Sequence, residues 1–198
     1  MKKDAFLLVI LLAIALLISP IRDLSCAETI KPKSLEGIEF FTGFGWGRLL
    51  AKKNYHLTPL MVNFDFNLKP LIQKLNFKPR QLFQFQIEPF ISFVSSPDNN
   101  IETGTSFAFK LGILPQTSKF QPYIKAGLGM VYMTQHTREQ STQFNFIEQG
   151  GLGMHYFFRK NTAFTLEGRF RHLSNAGIDH PNHGINTYFA VAGITYQF

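Results

Sequence analysis

Apolar and polar residues alternate along most of this chain, at the period of two that sends successive side chains to opposite faces of a β-strand. Leu60, Val62, Phe64, Phe66 and Leu68 share one parity, with Asn63, Asp65 and Asn67 on the other. Phe83, Phe85, Ile87, Ile91 and Phe93 alternate with Gln84, Gln86, Glu88 and Ser92. The same rhythm returns over 107–113 against Ser106 and Lys110, over 124–132 against Lys125, over 164–170 against Glu167 and Arg169, and over 188–198 against Thr187 and Thr195. Residues 37–46, loosened by Gly43 and Gly45, and residues 144–158 complete a set of eight strands. Glu148 falls on the otherwise apolar parity of 144–158, which reads as the mark of a β-bulge, since an inserted residue flips parity. Turn-forming clusters separate the strands, among them Pro97-Asp98-Asn99-Asn100, Pro115-Gln116-Thr117-Ser118, Arg159-Lys160-Asn161 and Pro181-Asn182-His183-Gly184.

The N-terminal segment has a different pattern. Lys2 and Lys3 precede an unbroken apolar run over 5–18, which Pro20 ends. Fourteen residues are short for a membrane span and suit the core of a signal peptide. Ser25-Cys26-Ala27 supplies small residues for cleavage after Ala27, whereas Asp23 and the Leu24-Ser25 spacing fit a lipobox poorly. The expected organisation is a signal peptide over 1–27 and one β-domain over 28–198. The single Cys26 leaves with the signal, so no disulfide framework and no cysteine-based zinc site is expected.

Two architectures accommodate such strands. A soluble barrel or sandwich buries the apolar faces; a transmembrane barrel turns them to lipid and encloses the polar ones. Export, strands of about ten residues and a polar parity rich in both charge signs favour an eight-stranded antiparallel transmembrane β-barrel in the outer membrane of a Gram-negative cell. Composition agrees: 22 Phe coexist with a mean hydropathy near zero, because lipid-facing and lumen-facing residues average out. The last strand ends on Phe198, with Tyr196 two before it, like the C-terminal assembly signal of such barrels. Tyr132, Tyr156, Tyr188 and Tyr196 share the outward parity and are candidates for an interfacial girdle. Of the 20 Lys and Arg and 13 Asp and Glu, three and two lie in the signal segment, so 17 and 11 remain, a net charge of +6. That charge suits an anionic surface or ligand. Nucleic acid is not an expected partner, since no basic helix or aromatic-plus-basic face is present.

The seventh strand continues its apolar row into His172 and Ser174. Residues two apart share a face, so an imidazole stands beside a hydroxyl where lipid is expected. A base next to a hydroxyl nucleophile is the pairing a serine esterase needs. Spacing alone does not separate that reading from two polar residues at a strand's wet end.

The run His172-Leu173-Ser174-Asn175-Ala176-Gly177, followed by Asn182-His183-Gly184 and a final strand, resembles the lipid A 3-O-deacylase (PagL) family. The resemblance implies an eight-stranded outer-membrane barrel that hydrolyses the ester-linked acyl chain at the 3-position of lipid A, with lipopolysaccharide as substrate, surrounding lipid as its medium and no cofactor or metal. It implies His172 as base and Ser174 as nucleophile, and importance for Asn175. The oxyanion hole is left open among the Gly177 N–H and the side chains of Asn175 and Asn182. Family members can carry a Glu twelve residues after the Ser to orient the His; here that position is Asn186, which a hairpin centred near Asp179 would put opposite His172, where an Asn can orient the imidazole by a hydrogen bond but supplies no charge. Asp179 is a candidate substitute from the loop, and Glu167 a poor one because its parity points to the lumen. Lys52, Lys53 and Arg138 are loop cations that could meet lipid A phosphates, although a solvated loop face is the better explanation of any single one. His172, His180 and His183 read as loop or site histidines, not as metal ligands. A non-catalytic small barrel serving adhesion or membrane integrity, a lipid A acyltransferase and a soluble lipocalin-like binder are the rival readings. A homodimer is compatible with the sequence.

Overall fold

The computed structural model describes residues 35–50 and 53–198; the expected signal peptide and Lys52 lie outside them. Eight strands follow one another in the chain: β1 (Leu35–Arg48), β2 (Asn54–Asn67), β3 (Gln81–Ser96), β4 (Asn100–Pro115), β5 (Phe120–Met133), β6 (Phe144–Arg159), β7 (Thr162–Ser174) and β8 (Ile185–Gln197). A single short helix, α1 (Lys69–Gln73), lies between β2 and β3, with Pro70 in its first turn, where a missing N–H costs nothing. Each strand pairs antiparallel with the next, and β8 pairs with β1 from Gly37↔Gln197 to Gly47↔Thr187, so the sheet closes into a barrel. Closure satisfies every strand edge, which is the condition for placing a sheet in lipid.

The apolar parity faces outward. Phe40, Phe109, Leu128, Leu152 and Phe164 are each more than half exposed. The polar parity is buried: Glu39, Gln84, Gln86, Glu88, Lys110 and Lys125 line the interior. A soluble fold with the apolar faces turned inward is thereby excluded, because the buried side is the charged one. Inside, Lys110, Lys125 and Arg169 are each set between two acids, and Arg171 pairs with Glu102. Lys110 Nζ lies 2.7 Å from Glu39 and 3.5 Å from Asp65. Lys125 bridges Glu88 at 2.5 Å and Glu167 at 2.9 Å, and Arg169 contacts the same two carboxylates. Buried charges are tolerated only when paired in this way.

Two features differ from the sequence pattern. The interior is not polar throughout: Tyr55, Leu57, Val94, Met133, Ile147, Leu173 and Ile185 form a buried apolar cluster. Leu173 and Ile185 are partners across the β7–β8 hairpin, so this plug supports the backbone at the base of the β7–β8 loop. Glu148 marks no bulge. The β6–β7 register runs without a shift from Phe146↔Ser174 to Phe157↔Ala163, and the irregularity falls between Phe157 and Arg159. Because the ladder is continuous, Glu148 keeps the parity of Phe146 and Leu152 and projects outward, exposed.

Candidate functional site

The turns split into two sets. One end of the barrel carries both termini of the strand array; the other carries the connections β1–β2, β3–β4, β5–β6 and β7–β8. At that second end the outward face changes character. Phe170, Tyr188 and Trp46 are successive neighbours across β7, β8 and β1, with Phe170 and Tyr188 ring centroids 5.3 Å apart and Tyr188 and Trp46 6.1 Å apart. Aromatic side chains at this level are those that settle at a membrane–water interface. One step nearer the loops, the next row reads Asn186, His172, Glu148 across β8, β7 and β6.

His172 Nδ1 donates to Asn186 Oδ1 at 2.6 Å. An amide oxygen can only accept, so Nδ1 carries the proton and Nε2 keeps the lone pair that a general base needs. Gly184 closes the site from the loop side. A Cβ at that position would overlap the imidazole, and its φ of +77° is one that glycine adopts freely. Ser174 ends β7 on the same row as His172, half-buried, with Phe146 opposite it on β6. Below the aromatic row the outward face hollows into an apolar groove of about 620 Å³, lined among others by Leu152, Leu166, Gly168, Ala190 and Ala192. The hollow arises because small residues, Gly168, Ala190 and Ala192, stand where the neighbouring rows carry Phe and Leu.

After Ser174 the chain leaves the sheet through Ala176 and Gly177, with φ of +54° and +80°. Two successive left-handed residues turn the backbone sharply, and holding a non-glycine residue there costs about 1 kcal/mol or more. Asn175 sustains this turn. It is fully buried, its amide nitrogen donates to Ser141 Oγ at 3.0 Å and to the Asp179 carbonyl at 2.8 Å, and its Oδ1 accepts the Gly177 N–H at 2.9 Å. Its own N–H is shared between Asn182 Oδ1 at 3.0 Å and Gln140 Oε1 at 3.1 Å. The β5–β6 loop is laced to the β7–β8 loop by Ser141 N–H to the Pro181 carbonyl and His183 N–H to the Glu139 carbonyl, both 2.9 Å. Glu139 in turn accepts the Leu50 N–H at 2.6 Å, which brings in the β1–β2 connection.

Among sequences and structures compared with this chain, the model of the family described as lipid A 3-O-deacylase (PagL) matches residues 60–195. The chain belongs to the lipid A 3-O-deacylase (PagL) family. The crystal structure of the outer membrane enzyme PagL superposes with a TM-score of 0.60 at 15% identity, covering 78% of this chain and 97% of that one. The N-terminal β-barrel domain of Pseudomonas aeruginosa OprF gives 0.50 at 14% identity, covering 84% and 100%. At those identities the two neighbours speak for the barrel fold. No curated sequence matches the chain.

Within this PagL-family barrel, the residues singled out from sequence fall into three groups. His172, Ser174 and Asn186 share one outward patch. Asn175 and Gly177 lie beside it, but their donors are already committed inside the loop. The Asn182 amide nitrogen donates no hydrogen bond among the described residues, which leaves it available. Asp179 does not reach the imidazole; its carboxylate accepts the His180 N–H at 2.7 Å. Glu167 faces the lumen and pairs with Lys125 and Arg169. Lys53 and Arg138 are exposed at the loop end. The described residues hold no cluster of three or more His, Cys, Asp or Glu side chains placed for a metal. Sequence reasoning missed Gln140, Ser141 and Glu139, which sit in an aperiodic polar stretch that carries no local signal. It also passed over Gly184, whose φ and contact with His172 arise only when the loop folds back.

Proposed function

We propose that this protein is an outer-membrane serine esterase that removes the ester-linked acyl chain from the 3-position of lipid A. The observation that carries the reading is the His172–Asn186 hydrogen bond on a lipid-facing row that also holds Ser174. A polar trio on an apolar exterior is costly unless it works on something that arrives through the membrane. Membership of the lipid A 3-O-deacylase family supplies the substrate class.

In this mechanism the ester approaches laterally, its acyl chain in the groove beside Gly168 and Ala190. Ser174 Oγ attacks the ester carbonyl while its proton passes to His172 Nε2. The negative charge of the tetrahedral intermediate develops towards the Asn182 amide, the one oxyanion candidate of the three with an uncommitted donor, because Asn175 and Gly177 would have to give up loop bonds to serve. Collapse expels the sugar 3-hydroxyl, which takes the proton from the imidazolium, and water then hydrolyses the acyl-enzyme. Export by the 1–27 segment and an outward-pointing loop end complete the proposal, with the loop cations Lys53 and Arg138 near the lipid A phosphates.

The test is mass spectrometry of lipid A from cells with and without the protein. Loss of one hydroxyacyl chain is expected, and Ser174→Ala should abolish it while leaving a heat-modifiable, folded barrel. Unchanged lipid A in the presence of folded wild-type protein would leave the non-catalytic barrel as the reading.

A further inference from the structure

Glu148 is an unexplained charge. Of the acidic side chains on the strands, Glu36, Glu39, Asp65, Glu88, Glu102 and Glu167 each hold an ion pair or hydrogen bond. Glu148 has neither among the described residues, and it projects outward between Phe146 and Gly150, at the interfacial level of the barrel. Its partner across the β6–β7 ladder is His172. Directly opposed antiparallel residues have Cβ atoms about 5 Å apart. The imidazole therefore stands between two neighbours in one row: Asn186 on β8, bonded to Nδ1, and Glu148 on β6.

We propose that Glu148 is a positioning residue for His172, supplying from β6 the negative charge that Asn186 cannot supply from β8. This rests on the serine-esterase reading and deepens it. When Ser174 gives up its proton, His172 becomes a cation. Asn186 holds the ring's orientation and tautomer but is neutral. A carboxylate within about 4–6 Å favours the charged imidazole. The other groups around the ring do not compete for the role. On β7 its neighbour is Ser174, the loop places the Gly184 backbone against it, and Asp179, His180 and His183 are exposed further along that loop. On β1 the ladder with β8 ends at Gly47, opposite Thr187, with the cation Arg48 next in the chain one strand beyond Asn186, and on β5 the residue beside Glu148 is Leu128. Orientation and charge, often combined in one acid, are divided here between two strands.

The experiment uses the full-length protein in detergent micelles and compares wild type, Glu148→Gln, and Glu148→Gln combined with Asn186→Glu. Two rates are followed against pH: fatty-acid release from lipid A, and labelling of Ser174 by a fluorophosphonate. In labelling, Ser174 Oγ bonds to phosphorus, the hydroxyl proton passes to His172 and fluoride leaves, so it reports the base without needing lipid A. Glu148→Gln should slow both about tenfold or more, lower kcat with KM little changed, and move the acidic limb of the pH–rate profile to lower pH. Adding Asn186→Glu should restore the rate and the limb. Labelling by Glu148→Gln at the wild-type rate, with an unmoved acidic limb, overturns the inference. Normal labelling of wild type with no release from lipid A overturns the substrate reading alone and leaves the Glu148 pairing standing on the labelling data. Heat-modifiable mobility in gels establishes that each variant is folded; an outward, unpaired carboxylate has no native contact whose loss would unfold the barrel.

Discussion

Replacing Asn186 by Ala removes the one hydrogen bond that selects the His172 tautomer. The bond is 2.6 Å long and, in the proposed mechanism, would become charge-assisted when the imidazole takes the serine proton. Hydrogen bonds to charged groups contribute about 1.5–3 kcal/mol. At about 1.4 kcal/mol per tenfold in rate, Asn186→Ala should lower kcat by about 10- to 150-fold. The loss belongs in kcat, because Asn186 holds the base and does not hold the lipid. Asn186→Asp keeps the acceptor oxygen and adds a charge, so it should retain wild-type activity or exceed it. The assay is initial-rate release of hydroxy fatty acid from purified lipid A in micelles, with substrate varied to separate kcat from KM. Activity of Asn186→Ala within twofold of wild type would refute the reasoning. Equal loss in the Ala and Asp variants would also refute it, by showing that the side chain matters for packing and not for its oxygen.

Other outcomes follow from the loop and the lumen. Asn182→Ala should lower kcat about 100-fold through loss of an oxyanion donor, with thermal unfolding little changed, because the Asn175 N–H retains Gln140 as an acceptor. Asn175→Ala should instead make the 134–143 and 175–184 segments protease-sensitive, a difference visible by limited proteolysis. Lys125→Met leaves Glu88 and Glu167 to share Arg169, one buried negative charge uncompensated, and should cost about 3–5 kcal/mol in urea unfolding from lipid vesicles, while the folded fraction keeps its rate of fatty-acid release.

Much of this molecule is legible in one dimension because strand parity is a local property. Each side chain's face follows from its position modulo two, so the two opposed faces and the eight strands could be read from Phe83, Phe85 and Ile87 against Gln84, Gln86 and Glu88. The same rule, with one hairpin turn, places the Asn186 singled out by the family resemblance opposite His172, and the β7–β8 ladder pairs them. Parity failed at Glu148 for an instructive reason. An odd charge in an apolar row has two explanations, a shifted ladder or a tolerated polar site, and only the pairing of β6 with both neighbours chooses between them.

The loops lie beyond parity's reach. Gln140, Ser141 and Glu139 carry no periodic signal, yet the first two hold Asn175 and, through it, the turn that follows Ser174, while the Glu139 carbonyl holds the His183 N–H. The spent donors of Asn175 and Gly177, and the unspent amide of Asn182, depend on contacts between segments tens of residues apart, which barrel closure and loop packing alone bring together. The apolar plug beneath the site is of the same kind: Tyr55, Ile147, Leu173 and Ile185 meet only because four strands curve round a common interior. Local alternation thus specifies which face a residue occupies, whereas closure of the sheet specifies its neighbours, and the chemistry proposed here depends on the neighbours.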